Sequence, residues 1–196
     1  MSQQPVRILA LAGSTREASL NKKLVRIAAE GAESAGAQAT FLDLRDYPLP
    51  LYDADLEARE GTPEAAHALK AAFKAHQGLL IAAPEYNGSL PAVLKNAIDW
   101  LTRKTADEPM LAAFDGKVAG LLSASPGKLG GLRGLAHLQQ ILAGIGVTVI
   151  PDQHAIPRAP KAFDDAGGLA DPADTEAAHR IGARVAEVTR RLTMPL

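Results

Sequence analysis

Val6-Arg7-Ile8-Leu9-Ala10-Leu11-Ala12-Gly13-Ser14-Thr15-Arg16-Glu17-Ala18-Ser19-Leu20-Asn21 joins a nearly continuous apolar run to a glycine and a hydroxyl-rich loop. An apolar run without alternation is what a parallel strand covered on both faces shows. Leu20, Leu24, Ile27 and Ala28 then recur at helical spacing up to Gly36, a C-cap residue. Strand, polar loop and helix in that order open an α/β unit.

The rest of the chain repeats the alternation. Residues 39–44 read as a second strand, followed by a proline-rich segment where Pro48 and Pro50 oppose regular structure. Thr62 and Pro63 read as N-cap and first-turn proline of a helix carrying Ala66, Leu69, Ala72, Phe73 and His76 inward. The apolar run at 79–83 is a third strand. Ser89 and Pro91 start a helix with Leu90, Val93, Leu94, Ala97, Ile98 and Leu101 on one face. Residues 117–122 and 147–150 supply two more strands. Between them runs a helix marked by Leu132, Leu135, Leu138, Ile141, Leu142 and Ile145, and a last helix, with Ile181, Val185, Val188 and Leu192, starts after Asp171 and Pro172.

Five strands and five helices predict an α/β fold. It is a doubly wound parallel sheet in the order 2-1-3-4-5, in three α/β/α layers and one domain spanning 1–196. The long loop at 102–116 and the two proline-rich loops are candidate interaction segments.

Composition narrows function. A net charge of -1 gives no reason to expect a nucleic-acid or anionic-membrane partner. The chain contains no cysteine, which excludes disulfides, thiolate metal sites, iron–sulfur clusters and a cysteine nucleophile. Its opening, MSQQPVRILALAG, has an apolar run too short for a signal peptide, and no stretch is long enough to span a membrane. A cytoplasmic protein is expected.

In an open parallel sheet, ligands sit at the carboxyl ends of strands near the point where the order reverses. The loops after strands one, three and four meet there. The first, GSTREASLN, combines hydroxyls, a guanidinium and an amide before a helix N-terminus, the donor set that a terminal phosphate needs. A lone Ser19 would read as a simple cap and a lone Arg16 as a solvated charge. Their concentration in one short loop favours the phosphate.

The loop after strand three, Pro84-Glu85-Tyr86-Asn87-Gly88-Ser89, holds a turn signal and a capping serine. Its backbone N–H groups could read the edge of a flat heterocycle, with Tyr86 over one face. An ordinary strand-to-helix turn with an exposed tyrosine fits the same residues equally well. The loop after strand four, SASPGKLGG, is rich in glycines that permit close backbone approach. It matches neither a nucleophile elbow nor a Walker A loop, and no G-x-G-x-x-G opens the first helix. The five histidines are scattered without ligand spacing, so no metal site is expected. Trp100 reads as packing or subunit contact.

GSTREASLNKKL, PEYNGSLPAVLKNAIDWL and SPGKLGGLRGLAHLQQIL, together with DLRDYPLPLYDADL, resemble the NAD(P)H-dependent FMN reductase family. That family includes bacterial quinone, azo-dye and chromate reductases. The resemblance covers almost the whole chain. It implies a flavodoxin-like fold with one non-covalent FMN, NADPH or NADH as donor, and a quinone, flavin or similar small acceptor. By analogy Ser14, Arg16, Ser19 and Asn21 hold the phosphate. Pro84, Glu85, Tyr86 and Asn87, with Ser125 and Gly127, border the ring, and Tyr86 and Asn87 are the positioning residues of catalysis. Gly88 stands where some relatives carry a second aromatic.

The same resemblance implies a homodimer or homotetramer, and the apolar residues Leu49, Leu51, Tyr52 and Leu56 in the proline-rich segment are the expected partner surface. A flavin-binding electron carrier is the alternative function, although carriers of the flavodoxin type are strongly acidic and this chain is nearly neutral. A non-flavin protein using the phosphate pocket for a nucleotide is a third.

Overall fold

The computed structural model describes residues 4–193, so the leader reading at residues 1–3 lies outside it. Five strands, β1 (Arg7–Ala12), β2 (Gln38–Leu42), β3 (Gly78–Ala82), β4 (Val118–Ala124) and β5 (Thr148–Ile156), form one sheet. All are parallel and ordered β2-β1-β3-β4-β5, as expected. β3 and β4 are buried along their whole length, which is why their sequences lack alternation.

Six helices cover the two faces: α1 (Leu20–Ser34), α2 (Ala54–Glu60), α3 (Glu64–Lys74), α4 (Ala92–Leu101), α5 (Leu132–Gly144) and α6 (Pro172–Thr193). Ile8, Ala10, Leu80 and Leu122 point to one core with Leu24, Ala28, Ile181 and Val185 of α1 and α6. Leu9, Leu11, Leu79, Ile81 and Leu121 point to the other, against Leu69, Leu94, Leu135 and Leu138 of α3, α4 and α5. α1 and α6 approach so closely that a Cβ on Gly182 would collide with the carbonyl of Ala28.

Several local expectations change. α2 forms inside the segment expected to be irregular, because Asp53 Oδ1 accepts from the N–H groups of Asp55 (2.8 Å) and Leu56 (3.3 Å) and caps it just past the prolines. Pro63 takes the cap position rather than the first turn of α3. β5 runs on to Ile156, past a register shift opposite β4 between Ala119 and Leu121. It tolerates Pro151 because it is an edge strand. Leu132 and Leu192, expected inside, are exposed.

The proposed interaction segments mostly fold back on their own chain. Trp100 is buried, and its Nε1–H donates to the Pro50 carbonyl at 2.8 Å. Tyr52 meets the Trp100 ring edge-on at 5.1 Å between centroids. Leu49 packs on the core, Leu56 is half-buried, and only Leu51 of the four apolar residues stays exposed. The 102–116 loop is likewise anchored by Phe114, which is fully buried against Phe73.

Candidate active site

The carboxyl ends of β1, β3 and β4 are stitched together by backbone. Gly13 N–H donates to Ala82 O and Ala83 N–H to Leu122 O, both at 2.9 Å. Above them lies a cavity of about 380 Å³. It is bounded by Ser14, Arg16, Ser19 and Asn21 on one side and by Pro84, Glu85 and Tyr86 on another. Ala124, Pro126 and Pro160 complete the wall.

The first loop gathers donors without internal consumers. Ser19 sits in the cap position of α1 with extended backbone, yet its hydroxyl makes no cap hydrogen bond. Ser14 is buried, and its Oγ accepts from Arg16 N–H at 3.3 Å. The first turn of α1 carries no acidic residue, so the positive end of the helix dipole is not neutralised locally. Arg16 is exposed and joins no ion pair among the described residues.

Asn21, expected as a phosphate ligand, lines the cavity and also braces the fold. Its Nδ2 donates to Ala124 O at 2.8 Å and its Oδ1 accepts from Ala124 N–H at 2.9 Å. The buried amide lines the cavity while bracing α1 against the end of β4. The neighbouring Lys22 is also buried, and its ammonium lies 2.5 Å from Asp43 Oδ2. Burial alone would raise the Asp43 carboxyl, but the Lys22 ammonium and the Arg45 N–H hold it below its ordinary value.

The loop after β3 is a tight turn: Tyr86 N–H donates to Ser89 O at 3.0 Å and Ser89 N–H to Tyr86 O at 3.1 Å. Asn87 and Gly88 have φ of 52° and 82°, the pair of positive values a type I′ turn requires. Tyr86 is half exposed at the cavity mouth, and Asn87 is exposed at the turn tip. Ser89 does not cap α4, which begins at Ala92; its Oγ lies 3.0 Å from His137 Nδ1 instead.

Glu85 caps a different helix altogether. Its Oε2 accepts from the N–H groups of Arg133 (3.1 Å) and Gly134 (3.3 Å) in the first turn of α5, and its Oε1 from Arg133 Nε (2.9 Å). α5 needs this outside acceptor because its own cap residue is Gly131. A side chain at 131 is barred twice over, by a φ of 101° and by Ser123 Oγ occupying the place of a Cβ.

The loop after β4 is stitched to the loop after β5. Ser125 N–H donates to Ile156 O (3.2 Å), Ala159 N–H to Ser125 O (3.1 Å) and Arg158 N–H to Gly127 O (3.2 Å). Ser125 is buried and Gly127 exposed, and the cavity wall takes Ala124 and Pro126 from this stretch rather than either of them. Among the described residues no group of three or more His, Asp or Glu side chains could hold a metal ion.

Two buried serines whose hydroxyl protons are uncommitted, a free guanidinium and a helix N-terminus suit a dianionic phosphate, and the proline- and tyrosine-bounded remainder suits a flat ring. The donor set therefore fits FMN. The sequence profile described as NADPH-dependent FMN reductase matches residues 6–161.

The chain belongs to that family.

Its relatives include the probable NADPH:quinone oxidoreductase 2 of Oryza sativa subsp. japonica, 35% identical over 87% of this chain and 82% of that protein. The NAD(P)H-dependent FMN reductase of Pseudomonas aeruginosa is 36% identical over 85% of each chain. Among solved structures, the flavoenzyme NAD(P)H:(acceptor) oxidoreductase FerB from Paracoccus denitrificans superposes with a TM-score of 0.78. It is 28% identical, over 95% of this chain and 98% of that one. An archaeal flavodoxin, at 13% identity and a TM-score of 0.64, shares the fold. As a member of the FMN reductase family, the chain is an FMN-dependent oxidoreductase with a nicotinamide donor. No helix among its described residues is long and apolar enough to cross a membrane.

Sequence reasoning missed Arg133 and His137 as supports of the reductase's Tyr86 turn. Their spacing of four residues, on the outer side of α5, was the available signal.

Proposed function

We propose that this reductase passes two electrons from NADPH or NADH to a quinone or similar small acceptor, both substrates visiting one cavity in turn. The observation that carries the reading is one cavity whose wall brings a phosphate-type donor set, Ser14, Arg16 and Ser19, together with Pro84 and Tyr86. The quinone acceptor rests on relatives named for it, such as the quinone reductase of Escherichia coli K12, 35% identical over 75% of this chain.

Bound FMN would supply the two-electron chemistry. The chain's own residues bind, orient and shield. Ser14, Ser19 and Arg16 hold the phosphate, and Asn21 fixes the loop that carries them. Pro84 and Tyr86 border the ring on one side and the 125–127 loop, through Pro126, on the other, with Asn87 at the turn tip and Glu85 locking the Tyr86 turn in place. Two substrates alternating in one cavity give ping-pong kinetics. Parallel double-reciprocal lines with NADPH and a benzoquinone are expected, and intersecting lines would overturn the shared cavity. Purified protein should be yellow and bleach on addition of NADPH; yellow protein that does not bleach is an electron carrier instead.

Tyr86, Leu129 and Leu132 are all exposed apolar residues on the loops and helix start around this mouth. A second copy of the chain in a homo-oligomer would cover such a surface. Light scattering at micromolar concentration tests it: fully active protein of monomer mass would show that one chain suffices.

A further inference from the structure

On the other side of the phosphate loop lies a second cavity, of about 240 Å³. Leu44 and Leu49 from the segment after β2 and Val93 and Ala97 from α4 form apolar walls. Thr15, between two residues of the FMN-type cavity, closes one end, and Arg45 Nε donates to its carbonyl at 3.2 Å.

Among the polar groups of this cavity, the Asn96 amide is committed. Asn96 Oδ1 accepts from Tyr52 N–H at 2.8 Å, and its Nδ2 donates to Pro50 O at 2.9 Å. The Thr15 and Tyr47 hydroxyls make no hydrogen bond among the described residues, and Arg45, which is exposed, is only partly engaged. Only its Nε is engaged, and neither terminal nitrogen has a hydrogen bond or ion pair among the described residues. Asp43, close by in sequence, is already compensated by the Lys22 ammonium. An apolar chamber of one-ring size with one uncommitted guanidinium selects a compact apolar body bearing a single anionic group.

We infer that this cavity is a second ligand site, distinct from the FMN site, for a small aromatic monocarboxylate. The ring lies between Leu49 and Val93, and the carboxylate takes the bidentate face that Arg45 leaves open. Trp100, the single tryptophan, is bonded to the Pro50 carbonyl of the segment that walls the cavity, so its fluorescence reports occupation. The site does not depend on which acceptor the reductase uses.

The test uses FMN-saturated protein, so that the phosphate cavity is filled. Binding of 4-fluorobenzoate and of its neutral isostere 4-fluorobenzamide is followed by fluorine NMR and by Trp100 emission. The carboxylate should saturate one site and bind at least tenfold more tightly than the amide. Arg45→Met should erase that preference, and Val93→Phe, which fills the chamber, should abolish both, with FMN content and Tm retained as the control for folding. Equal binding of acid and amide would overturn the anion-selective site. Binding that survives Val93→Phe in a protein of unchanged Tm places the ligand elsewhere, and also overturns it. Affinity that scales with protein concentration would mean a second copy of the chain fills the chamber, with the same consequence.

Discussion

Asn21 at the start of α1 and Ala124 at the end of β4 are joined by two reciprocal hydrogen bonds, 2.8 and 2.9 Å long, across 103 residues of sequence. The pair clamps the phosphate loop to the ring side of the cavity. Asn21→Leu leaves the buried N–H and C=O of Ala124 without partners, at a cost of about 2–4 kcal/mol. Urea unfolding of the FMN-free protein should show that loss directly. FMN affinity should fall as well, since the loop loses its anchor. Unchanged stability with weakened FMN binding would instead make Asn21 a direct ligand.

Arg16 behaves oppositely. It is exposed and has no ion-pair partner among the described residues, so the FMN-free fold does not depend on it. Arg16→Ala is expected to weaken FMN binding by about 2–3 kcal/mol, through loss of a charge-assisted pair to an anion. Tm without flavin should stay within a degree or two. Flavin fluorescence titration and a melt of the FMN-free protein measure the two halves separately, and a large drop in Tm would make Arg16 structural.

How much of the molecule is legible from consecutive residues follows from the range of each interaction. The β1 run and the loop behind it are local, and both the strand and the donor cluster can be read directly. The sheet order follows from handedness rules and the count of units. What escapes is non-local. Nothing near Glu85 indicates that it caps the helix starting at Leu132, because the signal is an absence, the lack of a side chain at Gly131. Ser89 looks like a cap for α4 until α5 brings His137 to its hydroxyl. Pro48 and Pro50 suppress helix only up to Asp53, whose carboxylate then nucleates α2. Trp100 is ambiguous between core and subunit contact until Pro50 supplies its acceptor.

Lys117 offers a stability test far from the cavity. It precedes β4, at the opposite end of the strands, is buried, and donates through Nζ to the His76 carbonyl. Burial pushes its ammonium down to about 8 from an ordinary 10.5, against a smaller opposing effect of Asp115. Below pH 8 both states hold the proton and the folded state bears the cost of the buried charge. Between about 8 and 10.5 the unfolded state still holds it while the folded state has released it, so stability should rise with pH, by at most about 1.4 kcal/mol per unit. Lys117→Met should flatten that rise. A wild-type curve that falls as steeply as the variant's over this window would show that the ammonium stays charged in the fold.

Glu85 links stability to the shape of the active site. Its burial favours the neutral acid, but the Arg133 side chain and the N–H groups of Gly134 and Arg133 outweigh that and hold the carboxyl below its ordinary 4.5. Above that pH the carboxylate is ionised in both states, and its cap on α5 contributes fully. As pH falls below about 4.5 the unfolded state takes up the proton first, so the contribution shrinks, and it vanishes once the folded group is protonated too. Glu85→Gln keeps the shape and removes the charge, at a cost of about 1–2 kcal/mol near neutrality. The gap in unfolding free energy between wild type and variant should therefore be level from pH 8 to about 5 and close towards pH 3. Asp43, Glu57, Glu108 and Glu187 are also held low, but the substitution leaves them unchanged, so their titration cancels in that difference. The same variant weakens the tie between the Tyr86 turn and α5, so FMN affinity should drop with it, and Arg133→Ala should lower both quantities in the same direction. A gap that stays constant from pH 8 to pH 3 would show that the cap works through shape alone, with no contribution from the carboxylate charge.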